Sequence, residues 1–216
     1  LKMDQFDIVA RKPLGVERAQ QEEERIGPVV AATFFPFRSA SVCAVESFDW
    51  SQAQLAFFMA GSDATARWSE SAAESGCIVI DNSLHYRADY DVPLVIPEVN
   101  GEQLADYRQR NIVASPTCIV TELMLALKPI HDEVGIARIN LVSLQSVSGS
   151  GKAGIQELAG QTAQLLNGRP VEPSVYPAQI AFNLIPQIDA LTEEGDTLEE
   201  LRFESEVRRL LGDERM

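Results

Sequence analysis

Between about Trp50 and Asn100 the apolar positions pass from a short continuous run to helical spacing and back again. "AQLAFFMAG" is dense in apolar residues and halts at Gly61, which is the pattern of a strand. "DATARWSESAAESG" places Ala64, Trp68, Ala72 and Ala73 at helical spacing and ends at Gly76. "CIVIDNS" is a second short apolar run, of the kind a parallel sheet covers on both faces. This strand–helix–strand rhythm predicts a doubly wound α/β sheet, whose ligands bind at the carboxyl ends of the strands. Ala60 and Gly61 lie at one such end, and "DNS" at 81–83 lies at another.

The pattern continues with "VPLVIPEVN" and a short acidic helix near Gly101 to Arg110. Ile112-Val113-Ala114 reads as the end of a buried strand and Ser115-Pro116-Thr117 as a tight turn. Cys118 then opens an apolar run, Ile119 to Leu127, that suits a helix. His131 follows it and reads as a loop residue. "ARINLVSLQSVSGSGKAG" predicts a strand followed by a Gly/Ser turn, and "IQELAGQTAQLLNG" a helix closed by Asn167-Gly168. "TLEELRFESEVRRLLG" predicts a charged amphipathic helix with Leu198, Leu201, Val207, Leu210 and Leu211 on its apolar side. The first 45 residues read differently. "FDIVA" has the look of a first strand, "ARKPLGVERAQQEEERIGP" is polar and acidic, and "VVAATFFPF" is apolar but broken by Pro36.

Composition narrows the function classes. A net charge of −14 over 216 residues argues against nucleic-acid binding, because phosphate contacts need clustered Lys and Arg. No apolar run approaches the roughly 20 residues of a membrane span, and the N-terminus has no signal-peptide pattern. Three widely spaced cysteines and two histidines indicate neither a disulfide framework nor a metal site, and a reducing, cytoplasmic setting is expected.

Several residues carry candidate chemistry. A helix N-terminus stabilises a thiolate, so Cys118 is a candidate nucleophile; the alternative is a small buried hydrophobe. "SVSGSGKAG" lacks the Gly and Ser/Thr positions of a Walker phosphate loop, with Ser146 and Ala153 in their places. It remains either a backbone nest for an anion or cofactor, or a flexible turn. Gln145, at a strand end, can bond a substrate or simply be half exposed. Arg87 can clamp a carboxylate or phosphate, or form a surface ion pair. Glu199 and Arg202 are three apart and share a helix face, as many solvated pairs do.

The blocks "DNSLHYRADYDVPLVIPEVN", "ASPTCIVTELMLALKPIHDEVGI", "LQSVSGSGKAGIQELAGQTAQLLNG" and "QIAFNLIPQIDALTEEGDTLEELRFESEV" strongly resemble aspartate-semialdehyde dehydrogenases, in that family's order and spacing. "AFNLIPQID" together with "SVSGSGKAG" is the specific part, and the resemblance covers about residues 47–211. It implies NADP-linked reductive dephosphorylation of aspartyl phosphate to aspartate semialdehyde. Cys118 falls at the nucleophile position and Gln145 at the position that orients the acyl intermediate. Arg87 and Arg202 match cations around the substrate phosphate and carboxylate, and Glu199 matches the acid that receives the substrate amine. Ala60, Gly61, Ser148 and Gly149 match cofactor-contacting positions. N-acetyl-glutamyl-phosphate reductases share the plan but fit "NLIPQID" and "LHYR" less well.

The departures from the family pattern are specific. Ser115 and Thr117 replace the two asparagines that flank the proline, and Arg202 replaces a lysine. "RKPLGVE" stands where the glycine fingerprint should follow "FDIVA". Residues 10–45 are shorter than the family's equivalent, and the family's last third, with its catalytic histidine, has no counterpart; neither His85 nor His131 matches that position. The expectation is an α/β chain: a Rossmann-like, NADP-binding parallel-sheet domain over 1–112, degenerate at 10–45, then an incomplete α+β catalytic and dimerisation domain over 113–216. Two functional classes stand: an aspartate-semialdehyde dehydrogenase whose homodimer needs the missing part, or a non-catalytic relative with a dimerising or binding role. By itself the chain is expected to be inactive.

Overall fold

A computed structural model describes the backbone of residues 29–32 and the chain from 41 to 213. "FDIVA" and the "RKPLGVE" segment lie outside the described residues. The chain divides into two compact units, residues 1–136 with 203–216, and residues 137–202.

In the first unit, β1 (Val29–Ala32) pairs antiparallel with β2 (Ser41–Ala44), in register from Val29 opposite Ala44. The main sheet is parallel, in the order β3 (Leu55–Phe58), β4 (Ile78–Asp81), β5 (Ile112–Ala114). It joins the strands predicted from "AQLAFFMAG", "CIVIDNS" and "NIVA", and it is the Rossmann-like arrangement expected. Burial alternates along β3 and β4, whereas all three residues of β5 are buried. β4 on one side and the Leu94 bridge to Ala114 on the other leave β5 enclosed.

Helix α1 (Ser62–Glu74) covers one face of this sheet. Phe58 and Asp81 are register partners and share that face, and Asp81 bonds Thr65 of α1. The helix meets the sheet through small side chains, Thr65, Ser69, Ala72 and Ala73, which permit a close approach. Gly61 links β3 to α1 at φ 95°, a backbone conformation that a side chain would strain. On the same face Trp50 stacks on Phe58, their ring centroids 5.5 Å apart.

Between β4 and β5 lie α2 (Pro97–Asn100), which begins with proline, and a 3₁₀ stretch, Gly101–Gln109. The buried Asn100 amide holds them, donating to Leu94 O at 2.8 Å and accepting from Ile96 N at 2.9 Å. Helix α3 (Cys118–Val134) buries Val120 and Met124, one turn apart, worth about 1.5–3 kcal/mol each. It runs on past the predicted Leu127, with Pro129 inside it. His131 therefore sits in the last helical turn and not in a loop. Proline costs the helix one hydrogen bond, to the carbonyl of Leu125, and the helix nonetheless continues to Val134, with a Lys128–Asp132 ion pair at 2.5 Å on its surface.

The second unit holds a 3₁₀ turn (Val147–Ser150), helix α4 (Gly151–Leu166) and a long irregular segment. The strand predicted over "ARINLVSLQS" does not form. A strand exists only as part of a ladder, and among the described residues none pairs with this run. Leu141, Val142 and Leu144 are left 40, 90 and 77% exposed. The segment after α4 is strapped to it by two side chains one turn apart. The Glu157 carboxylate accepts the Ser174 hydroxyl at 2.8 Å and the Val175 N–H, and Gln161 Oε1 accepts the Ile180 and Ala181 N–H groups at 2.9 and 3.1 Å. Helix α5 (Leu198–Leu211) belongs to this unit only as far as Arg202; Leu198 and Leu201 are exposed, while Val207 and Leu210, which belong to the first unit, are buried.

Candidate active site

Cys118 is the first residue of α3, and β5 delivers it through the turn Ser115-Pro116-Thr117. Proline forces an extended conformation on Ser115, and Ser115 N–H is held by Asp81 O at 2.8 Å, so the chain leaves the sheet at a fixed point. The thiol is exposed, which removes the reading of Cys118 as a buried hydrophobe. Cys77, in contrast, is fully buried.

Thr117 is the N-cap of α3, yet its hydroxyl makes no capping bond. It accepts from Arg87 Nη1 at 2.5 Å and donates to Glu206 Oε1 at 2.9 Å, while the Thr117 N–H donates to Glu206 Oε2 at 2.7 Å. Arg87 also meets Glu206 Oε1 at 3.3 Å and donates through Nη2 to Asn82 O at 3.0 Å. The Arg87 side chain is 11% exposed and that of Glu206 3%. An ion pair this deep is held by mutual dependence: removal of one partner typically costs about 3–5 kcal/mol. Arg87 Nε is buried and makes no hydrogen bond.

The loop that carries Arg87 is organised from beneath. Asp81 accepts the Ser83 N–H at 3.1 Å and the Ser83 hydroxyl at 2.9 Å, and Ser83 Oγ in turn accepts the His85 N–H at 3.1 Å. Tyr86 shares a hydrogen bond with Ser69 at 2.8 Å, and burial pushes its phenol up despite that bond. Arg209 of α5 clamps the far end of the loop, donating to Arg87 O at 2.7 Å and to Val92 O. Burial presses its guanidinium downward from the ordinary value.

In the second unit, Gln145 is exposed in an irregular segment and does not end a strand. Ser148 and Gly149 lie in the 3₁₀ turn before α4, where Ser148 Oγ and Ser146 Oγ share a hydrogen bond at 2.5 Å. Glu199 and Arg202 do share a face of α5, at 3.7 Å, but Arg202 binds Asp189 more closely, at 2.5 Å. Cys118, Arg87, Ala60 and Gly61 thus belong to the first unit, and Gln145, Ser148, Gly149, Glu199 and Arg202 to the second.

Ala60 and Gly61 are exposed where β3 turns into α1, with open space around Gly61 and no side chain capping the helix. An open helix start at the carboxyl end of a parallel strand fits a dinucleotide. Among the described residues no group of His, Cys, Asp and Glu could hold a metal, and no helix is long and apolar enough to cross a membrane.

Comparison with known proteins agrees with this architecture. The family model for the semialdehyde dehydrogenase NAD binding domain matches residues 12–107, and that for the semialdehyde dehydrogenase dimerisation domain matches residues 127–216. The aspartate-semialdehyde dehydrogenase of Shewanella violacea is 53% identical over 227 residues, covering 97% of this chain and 67% of the relative. The chain belongs to the aspartate-semialdehyde dehydrogenase family.

Within that family the similarity extends beyond the 47–211 blocks, since the NAD-binding match begins at residue 12. The crystal structure of aspartate semialdehyde dehydrogenase II from Vibrio cholerae, complexed with ASA, superposes with a TM-score of 0.83 at 45% identity. It covers 97% of this chain and 67% of that one. The aspartate-semialdehyde dehydrogenase of Shewanella sp. strain DB6705 is 54% identical over 180 residues, 83% of this chain. The chain spans 53% of that relative's length.

Sequence reasoning missed Glu206. The signal was present: it occupies the same face of α5 as Phe203 and Leu210, so a carboxylate stands where the periodicity calls for an apolar residue.

Proposed function

We propose that this chain carries the cysteine-centred site of an NADP-dependent aspartate-semialdehyde dehydrogenase, which interconverts aspartyl phosphate and aspartate semialdehyde. The observation that carries the reading is an exposed thiol at the first residue of α3, at the carboxyl end of a parallel strand, in a member of this family.

In the oxidative direction the Cys118 thiolate adds to the aldehyde carbon, and the carbonyl oxygen takes up the negative charge. The positive end of the α3 dipole favours negative charge at this corner. A nicotinamide dinucleotide, when bound, supplies the hydride exchange that converts this adduct to a thioester on sulfur. Inorganic phosphate then attacks the thioester carbonyl, which releases aspartyl phosphate and returns the thiolate. Splitting the reaction at the sulfur replaces one difficult step by two easier ones.

The remaining roles follow the family positions. Gln145 orients the acyl group, Arg87 and Arg202 hold phosphate and carboxylate, and Glu199 receives the substrate amine. Ala60 and Gly61, with Ser148 and Gly149, hold the dinucleotide. Residues 1–112 form the cofactor domain and 113–216 the catalytic and dimerisation domain of a homodimer, a reading supported by the matches over 12–107 and 127–216, and the setting proposed for it is cytoplasmic.

The test separates acylation from turnover. Incubated with aspartyl phosphate, the 216-residue chain is expected to form an aspartyl thioester on Cys118, detected by intact mass and abolished by Cys118→Ala. Phosphate-dependent NADP reduction with aspartate semialdehyde is expected to be absent from this chain alone. A folded chain that forms no adduct overturns the reading in favour of a non-catalytic relative.

A further inference from the structure

We propose that Glu206 is a positioning residue for Cys118, acting through Thr117. The inference rests on the reading of Cys118 as the nucleophile and adds a residue that acts from α5.

Three observations carry it. First, the Glu206 carboxylate is buried, with its side chain 3% exposed, and it spends both oxygens on Thr117: Oε2 on the N–H at 2.7 Å and Oε1 on the hydroxyl at 2.9 Å. If Glu206 served only to balance Arg87, its closest contact would be the guanidinium; that distance is 3.3 Å, the longest of the three. Second, Thr117 directly precedes Cys118, so bonds to its amide and its side chain fix the peptide from which the thiol projects. Third, an N-cap threonine normally turns its hydroxyl onto the N–H groups of the first helical turn. Here Arg87 and Glu206 hold that hydroxyl, and it caps nothing in α3. Glu206 thereby keeps the Thr117 hydroxyl from competing for the first-turn N–H groups that stabilise a thiolate at Cys118.

The three cysteines make a test inside one molecule. Cys118 reports the site, exposed Cys43 reports reagent activity, and buried Cys77 reports integrity of the fold. Iodoacetamide alkylation of the full chain near neutral pH, resolved by peptide mass spectrometry, gives all three rates together. Glu206→Asp keeps the charge but withdraws it by one methylene. It is expected to slow Cys118 about threefold or more, with Cys43 unchanged and Cys77 still protected. A merely structural role would unmask Cys77 without a selective effect on Cys118. An unchanged Cys118 rate in a variant that still protects Cys77 overturns the proposal.

If Glu206→Asp unmasks Cys77, Glu206→Gln decides the matter, since it keeps the side-chain length and shape but leaves one accepting oxygen for the two Thr117 donors. A slowed Cys118 then supports the proposal and an unchanged one overturns it. In the unaltered chain Cys118 is expected to react faster than Cys43. If it does not, the nucleophile reading fails, and this proposal with it; if it does and the variants change nothing, only the positioning role fails.

Discussion

The Thr65 hydroxyl donates to Asp81 Oδ1 at 2.7 Å, and both residues are fully buried. Two further bonds from Ser83 complete the shell of this carboxylate, at the point where β4 hands over to the loop that carries Arg87. Thr65→Val keeps the shape and removes one donor from a buried charged acceptor. The expected loss is about 1–3 kcal/mol, read as a lower urea midpoint at unchanged slope. Thr65→Ser, which keeps the hydroxyl, should lose less.

Two glycines of α4 should respond to alanine with opposite signs. A Cβ at Gly154 would lie 2.7 Å from Val147 O, 2.9 Å from Ser150 Cβ and 2.9 Å from Tyr176 Oη. The first of these is backbone of the Ser148–Gly149 turn and cannot swing away. Gly154→Ala is therefore expected to destabilise by about 1–3 kcal/mol and to speed amide exchange across 147–154. Gly160 has nothing within 4 Å of its Cβ position, and Gly160→Ala should stabilise by about 0.5–1 kcal/mol. Thermal unfolding of the two variants reads both signs.

Acid should loosen the Asp189 contact in the second unit. The Ala190 N–H, with the Arg202 guanidinium and against a partial effect of burial, holds the Asp189 carboxyl below its usual range. The folded pKa is thus lower than the unfolded one. The resulting stability is intact above the unfolded value of about 3.9 and is lost as pH falls through the lower folded value. Asp189→Asn should remove this dependence, so the stability profiles of the two proteins converge on acidification below about pH 4, in an acid titration followed by circular dichroism.

The parallel sheet was legible in the sequence because its strands are short apolar runs punctuated by Gly61 and Gly76, and period is a local property. Cys118 was legible for the same reason: a strand, a proline and an apolar helix meet within a few residues. The extent of α3 was not, because Pro129 is a local breaking signal, and the helix continues through it to Val134 in the folded molecule. The run around Gln145 carries a strand's composition, but a strand needs a partner, and partners are decided by the rest of the molecule.

Sequence alone therefore determined the α/β class, the family motifs and the thiol at the strand–helix junction, all of which depend on residues close together in the chain. Only the tertiary structure decided what surrounds that thiol. It turned the N-cap hydroxyl of Thr117 away from its own helix and onto Arg87 and Glu206, the latter 89 residues distant. A buried carboxylate chooses its partners by reach and desolvation, and neither is written in the spacing of residues along the chain.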